Sequence, residues 1–206
     1  MYQPDHVLVV GAGIAGISVA AKLARRGVSV SVLEQYDEYH YGATGRSAAL
    51  LATTYFSSEE FAILTKATQP AFEKPVEGFT DAQLLRDRGA LYFAGDEDAT
   101  ELAKFCWRLG GAEIPLVELY RKDVLELVPI IRRDKVIFGV YEKDAKNMDV
   151  HGIFQAYERQ AKRNGAQIVP GAELLSARWT GKFRIVNAAR GIFQADTIIK
   201  CSGRVG

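Results

Sequence analysis

The sequence predicts an α/β fold that opens with a nucleotide-binding strand-helix-strand unit built on a parallel sheet. The β-forming residues 7–10 run directly into Gly11-Ala-Gly-Ile-Ala-Gly16, and apolar positions at helical spacing follow. A second strand is predicted over residues 28–33, and it ends at Glu34. In this arrangement a glycine-rich turn and a helix N-terminus bind the pyrophosphate of a dinucleotide.

Each residue of this motif has a separate predicted role. Gly11 permits the tight turn from strand to helix, and Gly13 leaves space for a pyrophosphate to approach the backbone. Gly16 lets the helix pack closely on the strand. Glu34 is expected to accept hydrogen bonds from both hydroxyls of an adenosine ribose. The alternative is a glycine-rich turn in an ordinary α/β domain, which the strand-helix-strand-Glu order disfavours.

The remaining elements are predicted from hydrophobic periodicity and turn residues. The first helix closes at Arg25-Arg26-Gly27, and residues 36–45 have no period and are predicted to form a loop. Further predictions are helices over 59–72, 96–109, 122–128 and 149–164, and strands over 89–94, 136–141, 167–169, 174–179, 183–186, 192–193 and 197–199.

Composition limits the classes of partner. The chain has 26 Lys and Arg against 25 Asp and Glu. This near balance of charge disfavours a nucleic-acid partner, and we expect a small-molecule partner instead. Cys106 and Cys201 form no C-x-x-C motif or His/Cys cluster, which indicates a reducing compartment and no metal site. No apolar run reaches transmembrane length. We expect a cytoplasmic protein, with peripheral attachment at the inner membrane face as the alternative.

A second motif narrows the class. Gly42-Ala-Thr-Gly-Arg-Ser-Ala-Ala-Leu50 follows the acidic residue, and with the N-terminal glycines it resembles the FAD-dependent D-amino acid oxidase and glycine oxidase superfamily. Residues 41–49, 128–135 and 149–164 are most similar to bacterial FAD-dependent D-amino acid dehydrogenases. The resemblance runs over nearly all 206 residues and implies FAD as the cofactor.

The resemblance and the residue chemistry together give a set of candidate cofactor-binding positions. Arg46 and Ser47 are suited to phosphate oxygens or polar flavin atoms, and small Ala48 and Ala49 let the backbone approach a flat ring. Leu174 is expected to contact adenine, with an ordinary core leucine as the alternative. The full set is Gly11, Gly13, Ile14, Ala15, Gly16, Glu34, Gln35, Thr44, Gly45, Arg46, Ser47, Ala48, Ala49, Leu50, Leu174, Ser202 and Gly203.

The sequence departs from the family pattern at positions near the substrate and in the turn at residues 200–202. Leu50 stands where the most similar dehydrogenases carry a histidine, and Ala90 where a carboxylate would select a cation. A basic amino acid is therefore disfavoured as substrate. Leu50 and Tyr55 are candidates for the pocket wall, with packing of an aromatic ring as the alternative for Tyr55. Lys200-Cys-Ser202 replaces the Asn-Ala-Ala that the resemblance leads us to expect.

The implied activity is FAD-dependent oxidation of the Cα–N bond of an amino acid, by hydride transfer to flavin. The substrate would be a D-amino acid, glycine or a secondary amine such as sarcosine, and the electron acceptor is open. The alternatives are a FAD-dependent 2-hydroxy acid dehydrogenase and a non-catalytic dinucleotide-binding fragment.

The resemblance also predicts the domain organisation. Residues 1–85 and 145–206 would form a Rossmann-like FAD-binding domain, interrupted by the opening part of an α+β substrate domain over 86–144. The family's chains are about twice this length, so we expect the N-terminal half, with the catalytic residues beyond Gly206. Without them or a complementing chain, the isolated chain is expected to be inactive and to expose a sheet edge and an apolar face.

Overall fold

The computed structural model of the protein describes residues 4–38, 42–54, 59–109 and 116–203. The elements in chain order are β1 His6–Val10, α1 Ile14–Ala24, β2 Ser29–Leu33, β3 Leu50–Leu51, α2 Glu59–Glu73, β4 Leu85–Asp87, β5 Ala90–Ala94, α3 Ala99–Leu109, β6 Leu116–Tyr120, α4 Arg121–Leu127, a 3-10 helix Arg133–Lys135, β7 Phe138–Glu142, β8 Lys146–Met148, α5 Val150–Arg163, β9 Gln167–Val169, β10 Leu174–Trp179, β11 Arg184–Ala188, β12 Gly191–Ala195 and β13 Thr197–Lys200.

The chain folds into two compact units. The first unit contains Met1–Ala48, Glu77–Ala82 and Val150–Gly206, and the second contains Ala49–Val76 and Gln83–Asp149. The second unit thus begins much earlier than the domain boundary at residue 86 that the sequence predicts. The reason is β3, which pairs with β8 and ties this part of the chain to the second unit. A strand of two residues has no periodicity from which it could be predicted.

A four-stranded parallel sheet organises the first unit, in the order β13-β1-β2-β9. Strand β1 is central, and its Leu8 pairs with Ile198 of β13 on one side and with Ser31 of β2 on the other. Alternate side chains of β1 point to opposite faces of the sheet, and both faces are covered. The α/β fold with a parallel sheet and helices is therefore confirmed.

The two faces of this sheet are packed differently. On one face Val7 and Val9 join a core with Ile17 of α1 and Phe154 of α5. On the other face Leu8 and Leu33 pack with a cluster that includes Val186 of the antiparallel sheet β10-β11-β12. The first unit is consequently a three-layer structure of helices, parallel sheet and antiparallel sheet.

The second unit is built from two three-stranded antiparallel sheets, in the orders β3-β8-β4 and β5-β7-β6. The predicted helices that correspond to α2, α3 and α4 are present, whereas β3, β4, β6 and β8 were not predicted. Within the described ranges, no helix is both long enough and apolar enough to span a membrane.

Candidate dinucleotide-binding site

The turn between β1 and α1 depends on two glycines for its own packing. Gly11 has φ +101°, and its amide donates to the Leu33 carbonyl across 2.7 Å. A Cβ on Gly11 would lie 2.7 Å from the Cys201 carbonyl oxygen, and one on Gly16 would collide with the carbonyl oxygen of Gly11. These glycines therefore let strand, helix and the residues after β13 approach one another, as their predicted roles require.

Gly13 differs from the other two glycines because its nearest described neighbour is a side-chain oxygen and not a backbone atom. It is the N-cap residue of α1, in an extended conformation. Among the described residues, the atom that a Cβ on Gly13 would meet within 4 Å is the Thr44 Oγ1, at 3.3 Å. The backbone here is accessible to a ligand, which is what a pyrophosphate needs at this position.

The N-terminus of α1 has the electrostatics of an anion site. Its first turn contains no acidic residue, and amides of a first helical turn have no partner within the helix. The Ile14 amide donates to Thr44 Oγ1 across 2.9 Å, so a residue from a distant segment caps the helix. The remaining amides and the positive end of the helix dipole suit a pyrophosphate.

Glu34 is held directly beside the glycine turn. Its Oε2 accepts the Ala12 N–H at 2.7 Å, and its Oε1 accepts the Tyr36 N–H at 3.1 Å. The Glu34 backbone N–H donates to the Val169 carbonyl at 3.0 Å, which pins the residue to β9. Each carboxylate oxygen has a second lone pair. The geometry therefore fits a ribose whose two hydroxyls donate to Glu34.

The segment 42–48 reaches this site through Thr44, which is half-buried. Residues Gly45, Arg46, Ser47 and Ala48 are exposed, and a turn is closed by the Arg46 N–H to the Ala43 carbonyl at 3.3 Å. Gln35, next to Glu34, is exposed as well. Their contacts with a cofactor remain predictions.

The C-terminal candidates are divided between two places in the first unit. Ser202 lies against the turn, with its Cα 2.8 Å from the position of a Cβ on Gly11. Its neighbour Cys201 donates its N–H to the Val10 carbonyl at 2.7 Å, and burial raises the pKa of the Cys201 thiol. Leu174 begins β10 and is 38% exposed. Its contact with adenine remains a prediction.

Two predicted positions belong to the second unit, and a third is not described. Ala49 and Leu50 belong to the second unit, where Leu50 pairs with Asn147. Ala49 has φ +56°, a backbone conformation that is uncommon for a residue with a Cβ. Tyr55 lies outside the described residues.

A buried carboxylate in the second unit was missed by the sequence analysis. Glu142, the last residue of β7, is 0% exposed. Its Oε1 accepts the Thr53 N–H and the Thr53 hydroxyl, both at 2.6 Å, and its Oε2 accepts the Thr54 hydroxyl and, at 3.4 Å, the Thr54 N–H. Thr54 Oγ1 is 2.7 Å from the Tyr92 hydroxyl. The Thr54 hydroxyl has one proton, so Tyr92 donates to Thr54 while Thr54 donates to Glu142.

Comparison with known proteins gives consistent matches. The profile of the DAO family, described as FAD dependent oxidoreductase, matches residues 6–204. Human mitochondrial sarcosine dehydrogenase is 25% identical over 206 residues, which cover 96% of this chain and 22% of that protein. Glycine oxidase from Geobacillus kaustophilus superposes with a TM-score of 0.83 at 22% identity, over 98% of this chain and 56% of that chain.

A further solved structure is an L-α-glycerophosphate oxidase from Mycoplasma pneumoniae with FAD bound. It has a TM-score of 0.78 at 18% identity, over 96% of this chain and 53% of that chain. The chain therefore spans somewhat over half the length of these solved structures, and 22% of the human relative. At such identities the structural likeness shows the fold.

The family match extends over nearly the whole chain, from residue 6 to residue 204. It agrees with the glycine at position 13, the capped N-terminus of α1 and the fixed carboxylate of Glu34. The chain belongs to the DAO family of FAD-dependent oxidoreductases.

Proposed function

We propose that the protein containing this chain oxidises the Cα–N bond of an amino acid, which is a D-amino acid, glycine or a secondary amine such as sarcosine. FAD, when bound, would supply the redox chemistry as the acceptor of a hydride from the α-carbon. Water would hydrolyse the imine product to a 2-oxo acid and ammonia or an amine. The names of two relatives, sarcosine dehydrogenase and glycine oxidase, support this substrate class.

The role of this chain in that reaction is to hold the cofactor. The observation that carries the proposal is the 2.7 Å hydrogen bond from the Ala12 N–H to Glu34 Oε2, which sets the ribose acceptor beside the glycine turn. We propose that Glu34 binds the two ribose hydroxyls, while the N-terminus of α1 and the Thr44 hydroxyl bind the pyrophosphate. Gly13 leaves the space through which the pyrophosphate reaches the helix.

The second unit supports a preference for neutral substrates. Leu50 and Ala90 are apolar at positions where polar or acidic groups would serve a basic side chain, and a buried cation without a partner costs several kcal/mol. A carboxylate is close by, because Ala90 pairs across the strands with Glu142. However, Glu142 is fully buried and accepts hydrogen bonds from Thr53 and Thr54. It therefore does not replace the missing cation-binding group.

Anaerobic reduction of the flavin tests this function. The absorbance spectrum of the protein containing this chain is expected to show the visible bands of oxidised flavin, and sarcosine, D-alanine or D-phenylalanine should bleach them. Faster reduction by D-arginine would overturn the argument from Leu50 and Ala90. Reduction by D-lactate alone would favour the 2-hydroxy acid dehydrogenase, and a spectrum without flavin bands would favour a non-catalytic module.

We also propose a cytoplasmic location. Cys106 and Cys201 are both free of disulfide bonds, which supports a reducing compartment.

A further inference from the structure

Three segments of the first unit meet immediately beyond Glu34. The Ala172 N–H donates to the Glu34 carbonyl at 2.6 Å, and the Gly171 N–H donates to the Tyr36 carbonyl at 3.0 Å. The chain after β2 is thereby fastened to the chain after β9. The third segment is the tight turn between β11 and β12, which contributes Arg190.

Side chains complete this junction. Arg190 Nη2 lies 3.1 Å from Asp37 Oδ1, and both groups lie over Gly171. A Cβ on Gly171 would be 2.5 Å from Asp37 Oδ1 and 2.8 Å from Arg190 Nη2. Gly171 also has φ +61°. Asp37, Gly171 and Arg190 form what we call the clasp, and the clasp requires glycine at its centre.

The clasp contributes little to folding stability. The side chains of Arg190 and Asp37 are 58% and 80% exposed, and exposed ion pairs are worth on the order of 0–1 kcal/mol. Its position is the informative feature. If Glu34 binds the ribose and the N-terminus of α1 binds the pyrophosphate, the adenine leaves the ribose on the side away from α1. Among the described residues, Glu34 is joined to these segments by two hydrogen bonds: its carbonyl accepts the Ala172 N–H, and its Oε1 accepts the Tyr36 N–H.

We propose that the clasp closes the adenine end of the dinucleotide site, with Arg190 as a positioning residue that holds the segment after Glu34 in its binding conformation. This inference rests on the proposed placement of the dinucleotide. Arg190 acts through Asp37, whose carboxylate it holds over Gly171.

Calorimetric titration with ADP tests the proposal on the 206-residue chain. Arg190→Ala and Asp37→Ala should each raise the Kd for ADP about 2–5-fold, in line with the small energy of an exposed pair. The charge-swapped variant Asp37→Arg/Arg190→Asp should return the Kd to within about 2-fold of wild type. Arg178→Ala removes another exposed arginine of the first unit, in β10, and should leave the Kd unchanged.

Thermal unfolding without nucleotide separates positioning from a purely structural role. We expect the Tm of Arg190→Ala to equal that of wild type, while the increase in Tm on adding ADP becomes smaller. A lower Tm without nucleotide combined with an unchanged Kd would overturn the proposal. So would a charge-swapped variant that binds ADP more weakly than either single variant. If wild type binds neither ADP nor FAD, the dinucleotide site itself is wrong, and the clasp proposal is wrong with it.

Discussion

Glu34 and Ala12 are joined by a hydrogen bond of 2.7 Å, from the Ala12 backbone N–H to Glu34 Oε2. They stand 22 positions apart in the chain, and the helix and strand between them bring the two together. The protein's own backbone therefore fixes the carboxylate in place. A group fixed in this way loses little conformational entropy when it binds a ligand, which makes Glu34 the most sensitive position in the candidate site.

Replacing Glu34 by Ala should weaken FAD binding by about 2–4 kcal/mol, because two hydrogen bonds to the ribose are lost. Quenching of flavin fluorescence during titration measures the affinity. Glu38→Gln is the matched control, since this exposed carboxylate lies in the same loop and should bind FAD as wild type does. Equal affinities for Glu34→Ala and Glu38→Gln would remove Glu34 from the ribose site.

Gly13 and Gly16 should respond differently when a side chain is added. Gly13→Val presses a Cβ against Thr44 Oγ1, at 3.3 Å. A small shift of that side chain relieves the contact, so the fold should persist while the pyrophosphate is excluded. Gly16→Ala drives a Cβ into the Gly11 carbonyl oxygen, so the protein itself should be destabilised. Circular dichroism on heating and flavin content after purification measure the two effects. A folded Gly13→Val protein that keeps its flavin contradicts the assignment.

Glu142→Leu should lower the free energy of unfolding by about 2–4 kcal/mol, because buried N–H donors of Thr53 and Thr54 lose their acceptor. Glu142→Gln should cost about 1 kcal/mol, since one oxygen remains and the Thr54 hydroxyl can accept from the amide. Urea denaturation measures both variants.

Adding Thr53→Val and Thr54→Val to Glu142→Leu should recover part of the lost stability, because two of the hydrogen-bond donors left without an acceptor are then removed. If no stability is recovered, the two threonine hydroxyls contribute nothing to the loss caused by Glu142→Leu.

Alkylation of the two cysteines should require a higher pH than alkylation of a free cysteine peptide. Burial raises the pKa of the Cys201 thiol, and burial together with the negative charge of Glu118 raises that of Cys106. Because the thiolate is the reactive form, both should react more slowly with iodoacetamide near pH 8 than a free cysteine peptide in the same tube. Their rates should still be rising at a pH where the peptide's rate has levelled. Mass spectrometry quantifies each site.

Saturating FAD should slow the alkylation of Cys201, whose backbone packs against Gly11, and should leave Cys106 of the second unit unaffected. If FAD slowed the alkylation of Cys106 and not that of Cys201, the result would contradict the proposed FAD site.

The sequence predicts those features of the fold that arise from local patterns. The order of β1, glycine turn, α1, β2 and Glu34 was predicted because each part has a period or a required residue type. Strand β3, Leu50–Leu51, was missed because it is defined by its partner β8. The start of the second compact unit at Ala49 has no local signal for the same reason.

Long-range contacts in the candidate site could not be predicted either. The position of Thr44 in a family-like loop suggested a cofactor contact, but its bond to the Ile14 amide joins residues 30 apart in the chain. Glu142 directly follows the strand predicted over 136–141. An acidic residue there is commonly exposed, and its buried partners are 88 and 89 residues away. A single sequence does not encode such pairings in any local pattern.

The pairing of β1 with β13 has a consequence for synthesis on the ribosome. Hydrogen-bonded neighbours such as His6 and Asp196 are separated by 190 residues, and translation at about 5–20 residues per second takes about 10–40 s to make that length. All strands of the second unit lie between Leu50 and Met148. The second unit can therefore complete its own pairing while β1 still waits for one of its two neighbours. The nascent first unit, with that apolar strand edge open, is the species that would need a chaperone.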